Sequence, residues 1–476
     1  MIGRLPLLAA ALLCAGLLWL GWPGVSMYDT VVQYTQALSG VYDDWHPPVM
    51  ARLWSLLLPL GGGAAPLLVL QVVTYWAGFG LIAGGLARAG RPRAAAAVIV
   101  AGALPLFAAW QIAVLKDTQM LGAMLSAVGL VAWCRLPGQR VPVAAGVGAA
   151  VLLAYAMLVR TNAVFAVVPL GVLLLPGRDG WWGRWWGRAF AIGVGVAAVL
   201  AVSPAINHRL LAAQVTGVTH TLPLFDLAGI AHFGGAVLTP EDRALIAEKR
   251  CYQPFFWDPL GSPSRCGVIA ARYEGDRSGA LHRAWIDAIL LHPVAYARHR
   301  LAHLNATLRW IVPAGWTSAA PPAGSEPNNA GLASPAPVAR TLAAAGGWMA
   351  ETALGWPIVW IVVAGIVLAA AQGRRRTPLG DLAVVLAVSA LALEASFAVV
   401  SIASDLRYHL WPMIASLLAA ILLAAEAMPK RRTLYVGIAL LAAVIVPGTM
   451  ARRSLPSPPP GYAAMLDWND GAPAPQ

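Results

Sequence analysis

Apolar runs alternate with short polar or basic stretches along almost the whole chain. Crossing the hydrocarbon core of a bilayer as a helix takes about 20 apolar residues. Eleven runs approach that length: 5–22, 64–87, 94–111, 118–134, 142–159, 163–177, 189–206, 355–372, 382–403, 409–428 and 434–450. The sixth is short and carries Pro169, which removes a helical hydrogen bond and leaves its ends poorly defined. Residues 49–60 are also apolar but contain Arg52 and Pro59, a pattern that predicts a helix lying at the outer interface rather than a crossing.

The one long interruption, 207–354, breaks this rhythm. Within it HRAWIDAILLHPVAYARHRLAHLNATLRW predicts an amphipathic helix pair broken near Pro293. PPAGSEPNNAGLASPAPVAR predicts a flexible loop. The fold expected is therefore an all-α polytopic membrane protein with about eleven transmembrane helices. Its parts are a seven-span module over 1–206 with a first outer loop at 23–63, an extracytoplasmic segment at 207–354, a four-span module at 355–450, and a flexible tail at 451–476. Residues 1–22 show no A-x-A pattern before Trp22, and Leu13 rather than a small residue precedes Cys14, so this run reads as an uncleaved first span.

Composition agrees with the pattern. The 476 residues are 59% hydrophobic and 11% charged, against about 25% charged in a soluble chain; so apolar a chain has ample surface to bury and is not disordered. The net charge of +12 is not gathered into a patch, which argues against a nucleic-acid partner. The basic residues fall in clusters between runs: Arg4, Arg88–Arg91–Arg93, Arg135–Arg140, Arg178–Arg184–Arg188, Arg374–Arg375–Arg376 and Lys430–Arg431–Arg432. Lys and Arg accumulate on the cytoplasmic side, so the N-terminus is expected inside and 207–354 outside. The pair Arg452–Arg453 falls on the wrong side of this scheme.

Cys14 and Cys134 lie inside apolar runs, as small packing residues would. Cys251 and Cys266 both lie in the exported segment, where an oxidising compartment would pair them.

Every short outer loop carries at least one ionisable group: Asp29 after the first span, Lys116 and Asp117 between the third and fourth, Arg160 beside Asn162 between the fifth and sixth, and Asp405, Arg407, Tyr408 and His409 between the ninth and tenth. Charges at the membrane are costly and mark function by default. Carboxylates can take a proton from a hydroxyl or hold a divalent metal, while Lys and Arg grip phosphate. A sugar leaving a phosphate needs both, since the departing phosphate wants cations and the attacking hydroxyl a base. Gln33, Trp45, His46 and Tyr408 are neighbouring candidates for substrate contact. Trp45, Tyr28 and Tyr42 are suited either to stacking on a sugar or to an interfacial aromatic belt.

The stretches WPG and YDTVVQ within 22–33, GVYDDWHPPV at 40–49, LKDTQ at 115–119, LVRTNAVFAVVPL at 158–170 and SDLRYHLWP at 404–412 resemble the GT-C class of integral-membrane glycosyltransferases. The resemblance is to the protein mannosyltransferase and lipid A aminoarabinose transferase branch and its bacterial relatives. It implies a multi-span enzyme of the bacterial cytoplasmic membrane that takes a sugar from a polyprenyl-phosphate-linked donor on the outer face and passes it to an envelope glycan, lipid or protein. It also implies Asp29 as the catalytic base or metal-associated acid and Asp117 as the second acid, with Lys116, Arg160 and Arg407 at the carrier phosphate. The first motif reads Tyr-Asp-Thr where many relatives have Asp-Glu. That leaves the cofactor open: none is required by the pattern, and a divalent metal on Asp29 and Asp117 is the one candidate.

Other readings compete. A transporter or flippase of a lipid-linked precursor would place ionisable groups near the midplane and show paired halves, whereas these charges gather at one end of the spans. A glycan ligase or polymerase would use much of the same chemistry, and a non-catalytic envelope protein is the plainest alternative. Among the remaining polar residues, Glu394 is expected either at the cavity or in a structural pair. Asp43 and Asp44 read as turn acids, and His292, His299 and His303 as surface residues of the exported segment.

Overall fold

The structure, a computed structural model, describes residues 3–175, 184–273, 278–316, 318–427, 429–459 and 464–465. Arg178, the end of the sixth apolar run and much of the tail lie outside them. Among the described residues the chain is helical and forms no strand, only isolated bridges.

The N-terminal part runs through α1 (Arg4–Gly21), α2 (Tyr28–Ser39), α3 (Val49–Leu57), α4 (Ala65–Arg88), α5 (Pro92–Ala103), α6 (Pro105–Ala108), α7 (Lys116–Arg135), α8 (Val143–Val159), α9 (Val164–Leu174) and α10 (Trp185–Ala205). The segment after it holds α11 (Thr221–His232), α12 (Pro240–Glu248), α13 (Asp258–Gly261), α14 (Gly267–Ala271), α15 (Ala280–Leu291), α16 (Pro293–Thr307) and α17 (Val338–Glu351). The C-terminal part is α18 (Pro357–Ala371), α19 (Pro378–Val400), α20 (Leu410–Glu426) and α21 (Arg431–Ser454).

All eleven apolar runs are helical where described, but fewer are demonstrable crossings. Among the described residues six helices are long and apolar enough to cross a membrane, and a seventh is obtained if the pair Pro92–Ala103 and Pro105–Ile112, bent by 48°, is one span. Helix α8 has 17 residues, about 26 Å of rise, and α9 and α18 are shorter still. Helix α7 begins on Lys116 and Asp117 and ends on Arg135. Its apolar content is diluted by the polar residues that its position requires.

The core of the bundle is α4 packed on α7, with α1, α5 and α8 around them, and α19 and α20 packed together alongside α9 and α18. Glycines bring α4 and α7 into close approach. A methyl group at Gly78 would lie 2.5 Å from the backbone of Leu125, and one at Gly85 2.8 Å from the Ala132 carbonyl. Between helices in lipid, such backbone proximity replaces the hydrophobic drive available in water. It fixes the height of α7 and so the position of its charged first turn.

The segment between α10 and α18 has its own apolar core around Phe225, Leu227, Ile230, Trp257 and Leu281. The expected break at Pro293 separates α15 from α16, and α3 is the predicted short helix, with Met50, Ala51 and Trp54 buried. His299 and His303 are not surface residues. His299 lies between Tyr252 Oη (2.8 Å) and Asp226 Oδ1 (3.0 Å), and His303 Nδ1 meets the Pro254 carbonyl at 2.7 Å. The inward face of α16 carries Ala295, His299, Arg300, His303 and Ala306, held by these polar contacts, while Val294 and Leu301 are exposed.

Cys251 and Cys266 form a disulfide. Closing a loop of 15 residues stabilises by about 3 kcal/mol in the chain-entropy picture. Replacing both cysteines by serine is expected to lower the unfolding free energy by about that amount, seen as a lower melting temperature. Mass spectrometry of the non-reduced wild-type protein should find no free thiol at either position; two free thiols would contradict the pairing.

Candidate functional site

The segment from α1 to α3, the start of α7, the α8–α9 turn and the loop after α19 meet at one end of the bundle. Helix α2 begins at Tyr28, so Asp29 lies in its first turn, where the helix dipole favours an acid. Asp117 has the same place in α7. The start of α7 is anchored from α4: Gln71 Nε2 donates to the Gln111 and Ala113 carbonyls, and Gln71 Oε1 accepts from Thr118 and Gln119.

Six charges from four segments are interleaved there. Asp29 Oδ2 lies 3.5 Å from Lys116 Nζ and 3.2 Å from Arg407 Nη2. Asp117 pairs with Arg160 through Oδ1 and lies 3.7 Å from Arg407 Nε through Oδ2. Asp405 Oδ2 forms an ion pair with Arg407, 2.8 Å from its Nε, and Asp405 Oδ1 caps the Leu406–His409 turn by accepting from the Arg407 N–H at 3.1 Å. Arg160 is steadied by Asn162 Oδ1 at 2.7 Å and lies over the Tyr408 ring, 4.2 Å from its centre. Three carboxylates thus face three cations. The Asp117 side chain is fully buried, while that of Asp29 keeps 15% exposure.

His46 completes the arrangement. Lys116 Nζ lies 2.6 Å from His46 Nδ1, and because an ammonium has no acceptor the lysine donates. The imidazole proton is thereby placed on Nε2, which points at Asp29 Oδ1 across 3.7 Å. Burial, with Lys116 beside it, pushes His46 down to about 3, so the ring is neutral. Burial alone would raise the Asp29 carboxyl, but Arg407 and Lys116 outweigh it and hold Asp29 below the usual carboxylate range.

Of the sequence candidates, Asp29, Asp117, Lys116, Arg160, Arg407, His46 and Tyr408 come together. Gln33 lies one turn after Asp29 on the same face, and both its amide atoms are buried without a hydrogen-bond partner. Trp45 does not join them. It is 40% exposed and leans on Trp257 at 6.3 Å, in the segment between α10 and α18. Asp43 is a turn acid, accepting from the Trp45 N–H at 3.1 Å, whereas Asp44 is not: it ties this loop to a distant stretch by accepting from the Thr216 N–H and hydroxyl at 2.7 and 2.6 Å. Glu394 takes the structural option, with both carboxylate oxygens 2.9 Å from His409 Nδ1.

A divalent metal does not fit this set. Each carboxylate is already engaged by a guanidinium or ammonium, so a cation at Asp29 and Asp117 would meet three positive side chains. Among the described residues no group of three or more His, Cys, Asp and Glu residues is placed to hold a metal.

Two features were not visible as site residues. Asp405 is named by its loop, but its role in orienting Arg407 appears only in three dimensions. The stretch expected to be a flexible loop is an ordered strap on the connection between α1 and α2. Ser325 Oγ accepts from the Ser26 N–H at 3.0 Å, and the Glu326 N–H donates to the Ser26 carbonyl at 2.8 Å. The Glu326 carboxylate accepts from the Tyr28 N–H at the start of α2, and partial burial raises it above the usual range. Serine and glutamate in a Pro-rich run give no sequence signal for this.

Compared with protein-family models, with curated proteins and with solved structures, the chain matches none.

His46 and His303 are both pushed to about 3 by burial, whereas unfolded histidine titrates near 6.5. Unfolding therefore takes up protons below pH 6.5, and the stability held above that pH is lost as pH falls from 6.5 toward 3. Each histidine contributes up to about 1.4 kcal/mol per pH unit in that window. The melting temperature should drop between pH 7 and pH 4.5. His46→Gln, which cannot titrate, should shrink the drop; an unchanged slope would mean that His46 is already charged in the folded protein.

Proposed function

We propose that the chain is an integral-membrane glycosyltransferase of the GT-C type, with about eleven crossings and its N-terminus in the cytoplasm. It moves a sugar from a polyprenyl-phosphate-linked donor to an envelope acceptor on the outer face of a bacterial cytoplasmic membrane. The observation that carries this reading is the convergence of Asp29 with Lys116 and Arg407, which are far apart in sequence, beside the partner-free amide of Gln33.

In this reading the donor phosphate enters against Arg407, Arg160 and Lys116. Arg offers it a planar fork and Lys a point charge. The C1–O bond to phosphate breaks through an oxocarbenium-like state, and the bond electrons leave with the phosphate toward those cations. The acceptor hydroxyl lies at Asp29, which takes its proton as the new C1–O bond forms. His46 Nε2–H, aimed at Asp29 Oδ1, orients the carboxylate. Gln33 hydrogen-bonds to sugar hydroxyls, while Asp117 and Asp405 hold the two arginines in place. A transporter reading is less well supported, because the charged residues lie at helix ends instead of near the middle of the spans.

Purified protein incubated with a panel of polyprenyl-phospho-sugars and acceptor extracts should release sugar from the carrier. Asp29→Asn keeps the size and removes the base, and should lower kcat by about 10²–10⁴ when equal amounts of folded protein are compared. Full transfer by that variant would overturn the assignment.

A further inference from the structure

The pair Arg452–Arg453 contradicts the charge pattern of the inner loops, and the structure gives it a setting. Helices α18 to α21 run alternately, so the end of α21 lies at the same end of the bundle as Asp405 and Arg407. There a cavity of about 400 Å³ is lined by Glu351, Thr352, Trp356, Thr449, Arg452 and Arg453, among others. Its size is within the range of small-ligand sites, about 300–1,000 Å³.

Arg452 forms one wall. Its guanidinium lies 3.7 Å over the Trp356 ring, and its Nη atoms donate to the carbonyls of Arg309 (2.8 Å), Trp310 (3.1 Å) and Gly448 (3.1 Å). Its Nε is buried with no partner, as is Nε of Arg309 just behind. Arg309 is 2% exposed and holds the Glu351 carboxylate at 3.0 Å, with the Gly315 N–H on the other oxygen at 3.1 Å. The single acid is thus matched by Arg309, and Arg452 and Arg453 are left in excess. Arg453 is exposed at the rim. One and two turns before it, Met450 and Val446 are exposed on the same face of α21.

Two guanidinium groups above a bare apolar stripe suit an anion attached to a hydrocarbon tail. We infer that this cavity binds the phosphate of a membrane lipid, with the headgroup against Arg452 and Arg453 and the chain along Val446 and Met450. At the outer surface of a bilayer that chemistry is offered by a phospholipid or by a polyprenyl phosphate. The site is separate from the Asp29 cluster and does not depend on the transferase reading.

Native mass spectrometry of the full chain released from detergent counts bound lipids, and so separates this cavity from any other lipid site. The probes are phosphatidylglycerol, polyprenyl phosphate, inorganic phosphate, and diacylglycerol as the phosphate-free control. Losing a charged hydrogen bond corresponds to about tenfold or more in affinity. Arg453→Gln, an exposed change, should therefore lose one tightly bound copy of the preferred lipid by at least about tenfold, whereas Arg375→Gln, at the opposite end, should bind like wild type. Whichever of phosphatidylglycerol and polyprenyl phosphate shows this loss identifies the source. Competition by inorganic phosphate would show that the headgroup is what is read. Arg452→Gln, if its melting temperature holds, should repeat the result. A loss smaller than about tenfold in a folded Arg453→Gln protein, or diacylglycerol binding as well as the phospholipid, would overturn the inference.

Discussion

The structure depends on charge neutralisation at the membrane edge. Asp29, Asp117 and Asp405 meet Lys116, Arg160 and Arg407 in a cluster whose side chains are largely buried. Taking such groups from water costs several kcal/mol each, recovered only by close pairing, and removing one partner typically costs about 3–5 kcal/mol because a buried charge is left alone. The six residues come from α2, the start of α7, the α8–α9 turn and the loop before α20. None of these segments can shift without exposing another to that penalty. The cluster therefore fixes the relative heights of several helices, whatever chemistry it performs.

That constraint needs a scaffold that does not give way. Below the cluster, the glycine-lined contact of α4 with α7 and the Gln71 network fix Lys116 and Asp117. Above it, the segment between α10 and α18 holds the loop that carries Arg407. Arg300 donates to the Ser401 carbonyl at 2.7 Å, the Ser404 N–H donates to the Phe255 carbonyl at 2.8 Å, and the Leu406 N–H donates to the Ser318 carbonyl at 3.0 Å. Arg300 is itself paired with Asp226, which also holds His299 and Trp285. The buried histidines are thus part of a polar strut between the core of that segment and the Arg407 loop, which explains why a segment with its own core also bears on the site.

Hydropathy alone located the helices, because lipid-facing and core-facing residues of a membrane bundle are both apolar and the runs are long. The crossings are harder to read from it than the helices are: α8, α9 and α18 are apolar but short, and α7 starts and ends on charges. The cluster was legible because an ionisable residue at the end of an apolar run has few places to go, and residues as far apart as Asp29 and Arg407 follow that rule. Trp45 could not be judged this way, since an aromatic ring is at home in an interface, on a sugar or against another protein surface, and Trp257 decides it. His299 and His303 were misplaced because their polarity suggested solvent while their partners, Asp226, Tyr252 and the Pro254 carbonyl, are distant in sequence. The strap at 325–326 was hidden for a similar reason: its bonds to Ser26 and Tyr28 run mainly through backbone groups, which every residue carries.

The closed cluster also constrains how the proposed transfer would proceed. A carboxylate held low by Arg407 and Lys116 is a poor proton acceptor, since efficient general bases titrate near the working pH. A phosphate drawn to the same two cations would share their charge, and Asp29 would recover basicity as they turned away from it. With His46 neutral and its Nε2–H aimed at the carboxylate, Asp29 would keep its orientation while losing part of its electrostatic hold. Binding of the donor would then be what makes the base competent. An enzyme of this kind would leave Asp29 inert until a leaving group is in place, so that the base would act only on a hydroxyl placed beside a bound donor. The ion pairs that stabilise the resting bundle and the contacts proposed for the phosphate would be the same interactions at two stages, so the neutral cluster is both the structural lock and the switch for the base.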